Sequence, residues 1–169
     1  AGCVNALKGP ILVFGGTAGV GLETVRALRS RDIPVTVFVR PTSDRAPLER
    51  LGAAYAVGNV LNADEVAAAF DGRRFTAVVS SLGGRTGEPR PEGIGNVNIN
   101  EAAKRAGVRR VIQVSNLGTT RNRGRPRPRD DAHWSERMAY AKIVGEDHLM
   151  ASGLEWTIVR PGLLTDDPP

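Results

Sequence analysis

Six short apolar runs recur along the chain, most of them rich in β-branched residues, with segments of helical spacing between them. The runs are 11–14, 35–39, 53–57, 77–79, 111–114 and 156–159. None alternates strictly between apolar and polar residues, which is the pattern of strands covered on both faces. Residues 22–28, 47–51, 63–70, 97–106 and 133–151 repeat apolar side chains at intervals of three and four, the spacing of helix faces. Parallel strands need crossover connections, and those are right-handed. The alternation therefore predicts an α/β fold with a doubly wound parallel sheet in strand order 3-2-1-4-5-6. Ligands of such sheets bind outside the carboxyl ends of the strands.

Punctuation agrees with this division. Asn62 and Asp64 can cap a helix start, and Gly107 and Gly153 follow helix ends. With 169 residues the chain has the size of one domain, expected over residues 10–169 after an N-terminal extension at 1–9. No apolar run approaches the roughly 18 residues of a membrane span. Cys3 is the single cysteine, so no internal disulfide or multi-thiolate metal site forms, and a reducing compartment is expected.

The net charge of +5 is local. Arg121, Arg123, Arg125, Arg127 and Arg129 stand among prolines with no acid between them, and without these five the chain is neutral overall. Proline at alternate positions stops a helix, so residues 119–131 are expected as an exposed loop. The alternative is a docking arm for an acidic protein partner. Nucleic acid is disfavoured because no aromatic side chains are interleaved with the arginines. Trp134 and Trp156 are expected as core or interface anchors, and Glu146 with Asp147 as the solvated face of a helix. His133 and His148 lack partners at ligand spacing, so no metal site is expected.

Directly after the first run comes Gly15-Gly16-Thr17-Ala18-Gly19-Val20-Gly21, and a helical pattern follows it. A strand-to-helix turn without side chains lets the backbone approach a pyrophosphate, and the helix start offers unpaired N–H groups to the anion. Gly15, Gly16, Thr17, Gly19, Val20 and Gly21 are thus candidate cofactor contacts. The second strand ends at Arg40, about 25 residues beyond Gly15, where an acid would bond ribose hydroxyls and an arginine favours a 2′-phosphate. The expected cofactor is NADP(H), with NAD(H) as the alternative.

Taken in order, Ile11 to Thr17, Val37-Phe38-Val39-Arg40, Val78-Val79-Ser80-Ser81-Leu82-Gly83, Gly95-Asn96-Val97-Asn98, Val114-Ser115-Asn116-Leu117-Gly118, Lys142 and Trp156-Thr157-Ile158-Val159-Arg160-Pro161-Gly162 resemble the atypical short-chain dehydrogenase/reductase family. These are small NAD(P)-binding Rossmann proteins that include flavin and biliverdin reductases and plastid or cyanobacterial members. The resemblance implies that Gly15, Thr17 and Gly21 hold the pyrophosphate, Arg40 the adenosine phosphate, and Asn59 the adenine side. It places Ser80, Ser81 and Leu82 along the cofactor's centre, Ser115 and Lys142 at the nicotinamide as the catalytic candidates, and Pro161 in the wall beside it. The plastid members add chloroplast stroma, with a leader removed, to cytoplasm as an expected location.

Departures from the family pattern shape the expected chemistry. Reductases of the wider superfamily carry a Tyr four residues before the Lys, on the same helix face, where the cation lowers the phenol pKa. Met138 stands there instead, and Tyr140 lies about 200° around the helix from Lys142. Ala18 replaces a glycine of the turn, and Asn59 an acid. Relatives run on past Arg160-Pro161-Gly162 with a further strand and helix, which leaves the C-terminal, substrate side of the family fold missing here. Two readings stand: an NAD(P)H-dependent oxidoreductase passing hydride to a small planar acceptor, and a non-catalytic accessory or assembly subunit that keeps the NAD(P)-binding fold. The incomplete C-terminal side is a second candidate surface for a protein partner.

Overall fold

The computed structural model describes residues 9–83, 90–129 and 131–165. Cys3 and most of the expected N-terminal extension lie outside the described residues. Strands β1 Ile11–Phe14, β2 Val35–Val39, β3 Ala54–Val57, β4 Ala77–Ser80, β5 Arg110–Val114 and β6 Glu155–Val159 form one sheet. Every pairing is parallel and the order is β3-β2-β1-β4-β5-β6, as the alternation predicts. The helices are α1 Gly19–Arg29, α2 Ala46–Arg50, α3 Ala63–Ala68, α4 Pro91–Arg105, α5 Gly118–Asn122 and α6 Trp134–Ala151.

Side chains of a strand alternate between faces, so each central strand feeds two cores. Leu12, Phe14 and Val78 join Val66, Ile99 and Leu149 under α3, α4 and α6. Ile11, Val13, Val37 and Val79 join Val25 and Leu48 under α1 and α2. β1 and β4 are buried throughout, which explains why their sequences lack alternation. The edge strands are different: β3 and β6 are largely exposed, and Trp156 on β6 is 45% exposed. Trp134 at the start of α6 is also exposed, so of the two expected roles, core or interface anchor, neither tryptophan fills the core one.

α4 begins at Pro91, six residues before the expected start at 97. Gly93 and Gly95 argue against helix by propensity, but they are the residues that let α4 approach its neighbours. A Cβ at Gly95 would meet Leu82 Cδ1 at 2.9 Å, and one at Gly145 on α6 would meet Asn96 Cβ at 2.8 Å. Tertiary packing here outweighs local preference. Asn62 caps α3 as expected, its side chain accepting from the backbone N–H groups of Asp64 and Glu65.

One polar residue sits badly in this core. Gln113 on β5 is fully buried, and among the described residues neither its Nε2 nor its Oε1 has a partner. An orphaned buried amide costs about 1–3 kcal/mol. Gln113→Met keeps the length and removes the polar atoms, so it is expected to stabilise by about 1 kcal/mol, read as a rise of roughly 2–4 °C in thermal midpoint. A fall would show that the amide has a polar partner.

Candidate functional site

The glycine turn is shaped by contacts that only glycine permits. Gly15 has φ +77°, and a Cβ there would lie 2.4 Å from Ser81 O. A Cβ at Gly21 would lie 2.0 Å from Gly15 O, so the first turn of α1 rests directly on the end of β1. Gly16 is held more softly, against Val37 and Val13 side chains. Gly19 is the opposite case: its φ is +51°, yet nothing lies within 4 Å of a Cβ there. α1 has no side-chain cap at Ala18 and no acid in its first turn. Its first N–H groups and positive dipole end are therefore left for an anion beside Thr17, Gly19 and Val20. This cradle fits a dinucleotide pyrophosphate.

Arg40 follows β2 directly and is exposed, at the same end of the sheet as the turn, since Phe14 pairs with Phe38. Asn59 lies beyond β3, where its Oδ1 accepts from Leu61 N at 3.0 Å and its own N donates to Glu65 Oε2. Among the described residues its Nδ2 makes no hydrogen bond to the turn, so Asn59 organises its own loop in this arrangement.

From the turn, a continuous line of contacts crosses the strand ends. Ser81 N donates to Phe14 O at 2.8 Å, tying the end of β4 to the turn. Lys142 on α6 then donates to Leu82 O at 3.0 Å and Val114 O at 3.3 Å, closing β4 onto β5. Ser115 N donates to Val159 O at 2.7 Å, and Leu117 N to Pro161 O at 3.0 Å, which closes β5 onto β6. Gly15, Ser81, Leu82, Lys142, Ser115 and Pro161 thus gather at the carboxyl ends of the strands. Ser80 faces away from it: its hydroxyl donates to Asn96 Oδ1 at 2.5 Å, and Asn96 Nδ2 donates in turn to Glu92 O. Tyr140 lines a separate cleft with Arg125, Pro126 and Glu136.

Lys142 is 6% exposed. Burial pushes its pKa below the ordinary lysine value, Glu92 and Glu146 oppose that, and Arg90 adds to it. A buried ammonium with two of its three donors on backbone carbonyls is held in one place.

Glu146 overturns its expected role. Instead of lying on a solvated face it is fully buried, one helical turn beyond Lys142. Arg160 clasps it in a fork, Nε to Oε1 at 3.1 Å and Nη2 to Oε2 at 2.7 Å, and Arg123 adds Nη2 to Oε2 at 2.5 Å. Burial alone would raise its pKa. The Arg160 guanidinium, through its hydrogen bonds and its charge, outweighs burial and holds the carboxyl below its ordinary value. Arg123 also pairs with Asp147, so one of the five arginines expected in solvent is an anchor, and Arg121 lies in α5. The sequence carried part of the signal for this cluster, since 142 and 146 share a helix face and Arg160 immediately precedes Pro161, but nothing in it says that this carboxylate is buried.

The family model described as NAD(P)H-binding matches residues 15–169. The chain belongs to this NAD(P)H-binding family. A Bacillus subtilis protein named as an uncharacterized sugar epimerase is 30% identical over 94% of the chain and 73% of its own length. The NAD(P)H azoreductase of Xenophilus azovorans is 29% identical over 90% of the chain, but the match spans only 47% of that enzyme. Among solved structures, the anaerobillin reductase ChuY of Escherichia coli O157:H7 superposes with a TM-score of 0.73 at 27% identity, over 90% of the chain and 72% of that protein. The NAD(P)H-binding fold is thus an oxidoreductase-like one of the atypical short-chain type. No described helix is long and apolar enough to cross a membrane.

Proposed function

We propose that this NAD(P)H-binding protein is an NADPH-dependent reductase of small planar acceptors such as quinones, flavins or azo compounds. The observation that carries the reading is the seat of Lys142, buried between Leu82 O and Val114 O at the same carboxyl end of the strands as the glycine turn. Gly15 to Gly21 would hold the pyrophosphate, Arg40 the 2′-phosphate, and Lys142 with Ser115 the nicotinamide ribose and amide. When bound, the cofactor supplies a hydride. Two of the three Lys142 N–H donors hold the strand ends, which leaves one for a ribose hydroxyl. Leu117 and Leu163, exposed beside Pro161, offer an apolar rim for a flat acceptor. Met138 cannot donate a proton, so acceptors that take their protons from water suit the site better than isolated carbonyls. The reductases among its relatives support the same class.

Titration of the protein with NADPH and NADH, followed by nicotinamide fluorescence, tests the cofactor half. Arg40→Ala removes one charge-assisted contact worth about 1.5–3 kcal/mol, so NADPH affinity is expected to fall roughly 10- to 100-fold while NADH affinity barely moves. Equal loss for both cofactors would take Arg40 out of the site. NADPH oxidation with a quinone, a flavin and an azo dye tests the other half. If NADPH binds but oxidation stays at background with all three, the reductase reading fails and a cofactor-binding accessory subunit takes its place.

A further inference from the structure

A cleft of about 450 Å³ opens at the end of the sheet opposite to the glycine turn. It is lined by residues that precede or begin β1 to β4, among them Pro10, Pro34 and Phe75, a full strand length from the dinucleotide cradle. Three arginines, Arg29, Arg73 and Arg74, line the same cleft, and among the described residues no carboxylate does. We propose that this cleft binds a small amphipathic anion: an oxyanion head, phosphate or carboxylate, carried on an apolar body.

The arginines are prepared to different degrees. Arg29 donates from Nε to Leu51 O at 3.0 Å and from Nη1 to Ile33 O at 3.1 Å, so its guanidinium is held by the loops that follow α1 and α2. Its Nη2 remains over. Gly52, with φ +64°, leaves that nitrogen uncovered, since a Cβ at this position would come within 3.4 Å of it. Arg73 gives Nη1 to Ala69 O at 3.2 Å and keeps its other donors. Arg74 makes no ion pair or hydrogen bond among the described residues, and no shared carboxylate offsets the three charges. Like charges gathered without a counter-charge repel one another, and an oxyanion relieves this while taking the leftover N–H donors. The volume is that of a small-molecule site, and the Pro10, Pro34 and Phe75 wall suits an apolar body.

The test uses the full chain saturated with NADPH, so that the glycine turn is filled, and phenyl phosphate as the probe followed by calorimetry. Benzoate carries the carboxylate form of the head, inorganic phosphate the head alone, and benzyl alcohol the ring alone. Phenyl phosphate or benzoate is expected to bind at one site, inorganic phosphate more weakly and benzyl alcohol not at all. Arg73→Gln/Arg74→Gln is expected to weaken that binding at least tenfold while NADPH affinity stays unchanged. Binding that ignores the double substitution, or no binding by either aromatic anion, would overturn the assignment. The arginine dependence reads the cleft itself, so it stands or falls apart from any reductase activity.

Discussion

Gly21→Ala is expected to abolish NAD(P)H binding and to lower stability by roughly 2–3 kcal/mol, the upper part of the range for overpacking a filled site. The new Cβ would lie 2.0 Å from Gly15 O and 2.8 Å from Gly15 C, and both are backbone atoms that no rotamer change can move aside. Gly15 cannot retreat, because its own Cα already faces Ser81 O, so α1 must lift from β1. The N–H groups at the start of α1 then no longer converge on one point, and the anion loses its donors. Gly19→Ala is the instructive contrast. Its Cβ enters open space, so the cost to the fold is the left-handed strain alone, about 1–2 kcal/mol. That Cβ nevertheless stands on the exposed side of the turn, so binding weakens more than stability does. Thermal unfolding and NADPH titration of the two variants separate these effects. A Gly21→Ala protein that binds NADPH like the parent would show that the turn is a packing device only.

The sheet order was legible because strand burial and crossover handedness leave few alternatives. β1 and β4 read as unbroken apolar runs since both faces are covered, and the turn chemistry at Asn62, Gly107 and Gly153 marks the helix ends. What sequence obscured was where tertiary contact reverses a local preference. Gly93 and Gly145 look like helix breakers and are the points where α4 and α6 come close enough to share a face, while Gly95 lets α4 approach Leu82 and Val60. The edge strands misled in the other direction. Trp156 belongs to an apolar run, but β6 has no strand beyond it among the described residues, so the indole stays half exposed.

At the site, glycine positions were readable from spacing because a Cβ there meets backbone, and Lys142 from its place in the family pattern. Charged residues were not, since a carboxylate looks the same in sequence whether it faces water or two guanidiniums. Glu146 and Asp147 are adjacent, yet one is fully buried and the other half exposed, because α6 turns 100° between them. Ser80 shows the same limit: its hydroxyl bonds Asn96 under α4, while the backbone of Ser81, just past β4, backs the turn.

Glu146→Gln is the second large effect expected, and it carries a pH signature. The substitution keeps the shape but leaves the guanidiniums of Arg123 and Arg160 facing a neutral amide. Breaking a fully buried pair costs about 3–5 kcal/mol, and because the two arginines are 37% and 33% exposed, solvent reduces this to roughly 2–3 kcal/mol. A carboxyl held below its ordinary 4.5 binds fewer protons folded than unfolded in the window just beneath that value. Its stabilisation is therefore complete above about pH 4.5 and drains away as pH falls through the lower folded pKa. Urea unfolding of the parent and of Glu146→Gln should show a gap that is constant from pH 7 to pH 5 and narrows below, because the amide cannot titrate. A gap that stays the same down to pH 3 would mean that the carboxylate is not what ties α5 and the end of β6 to α6. The consequence reaches the site as well, since Glu146 opposes the desolvation of Lys142. Removing its charge lowers the Lys142 pKa further, so any reaction that needs Lys142 protonated should lose its alkaline limb at a lower pH in the variant than in the parent.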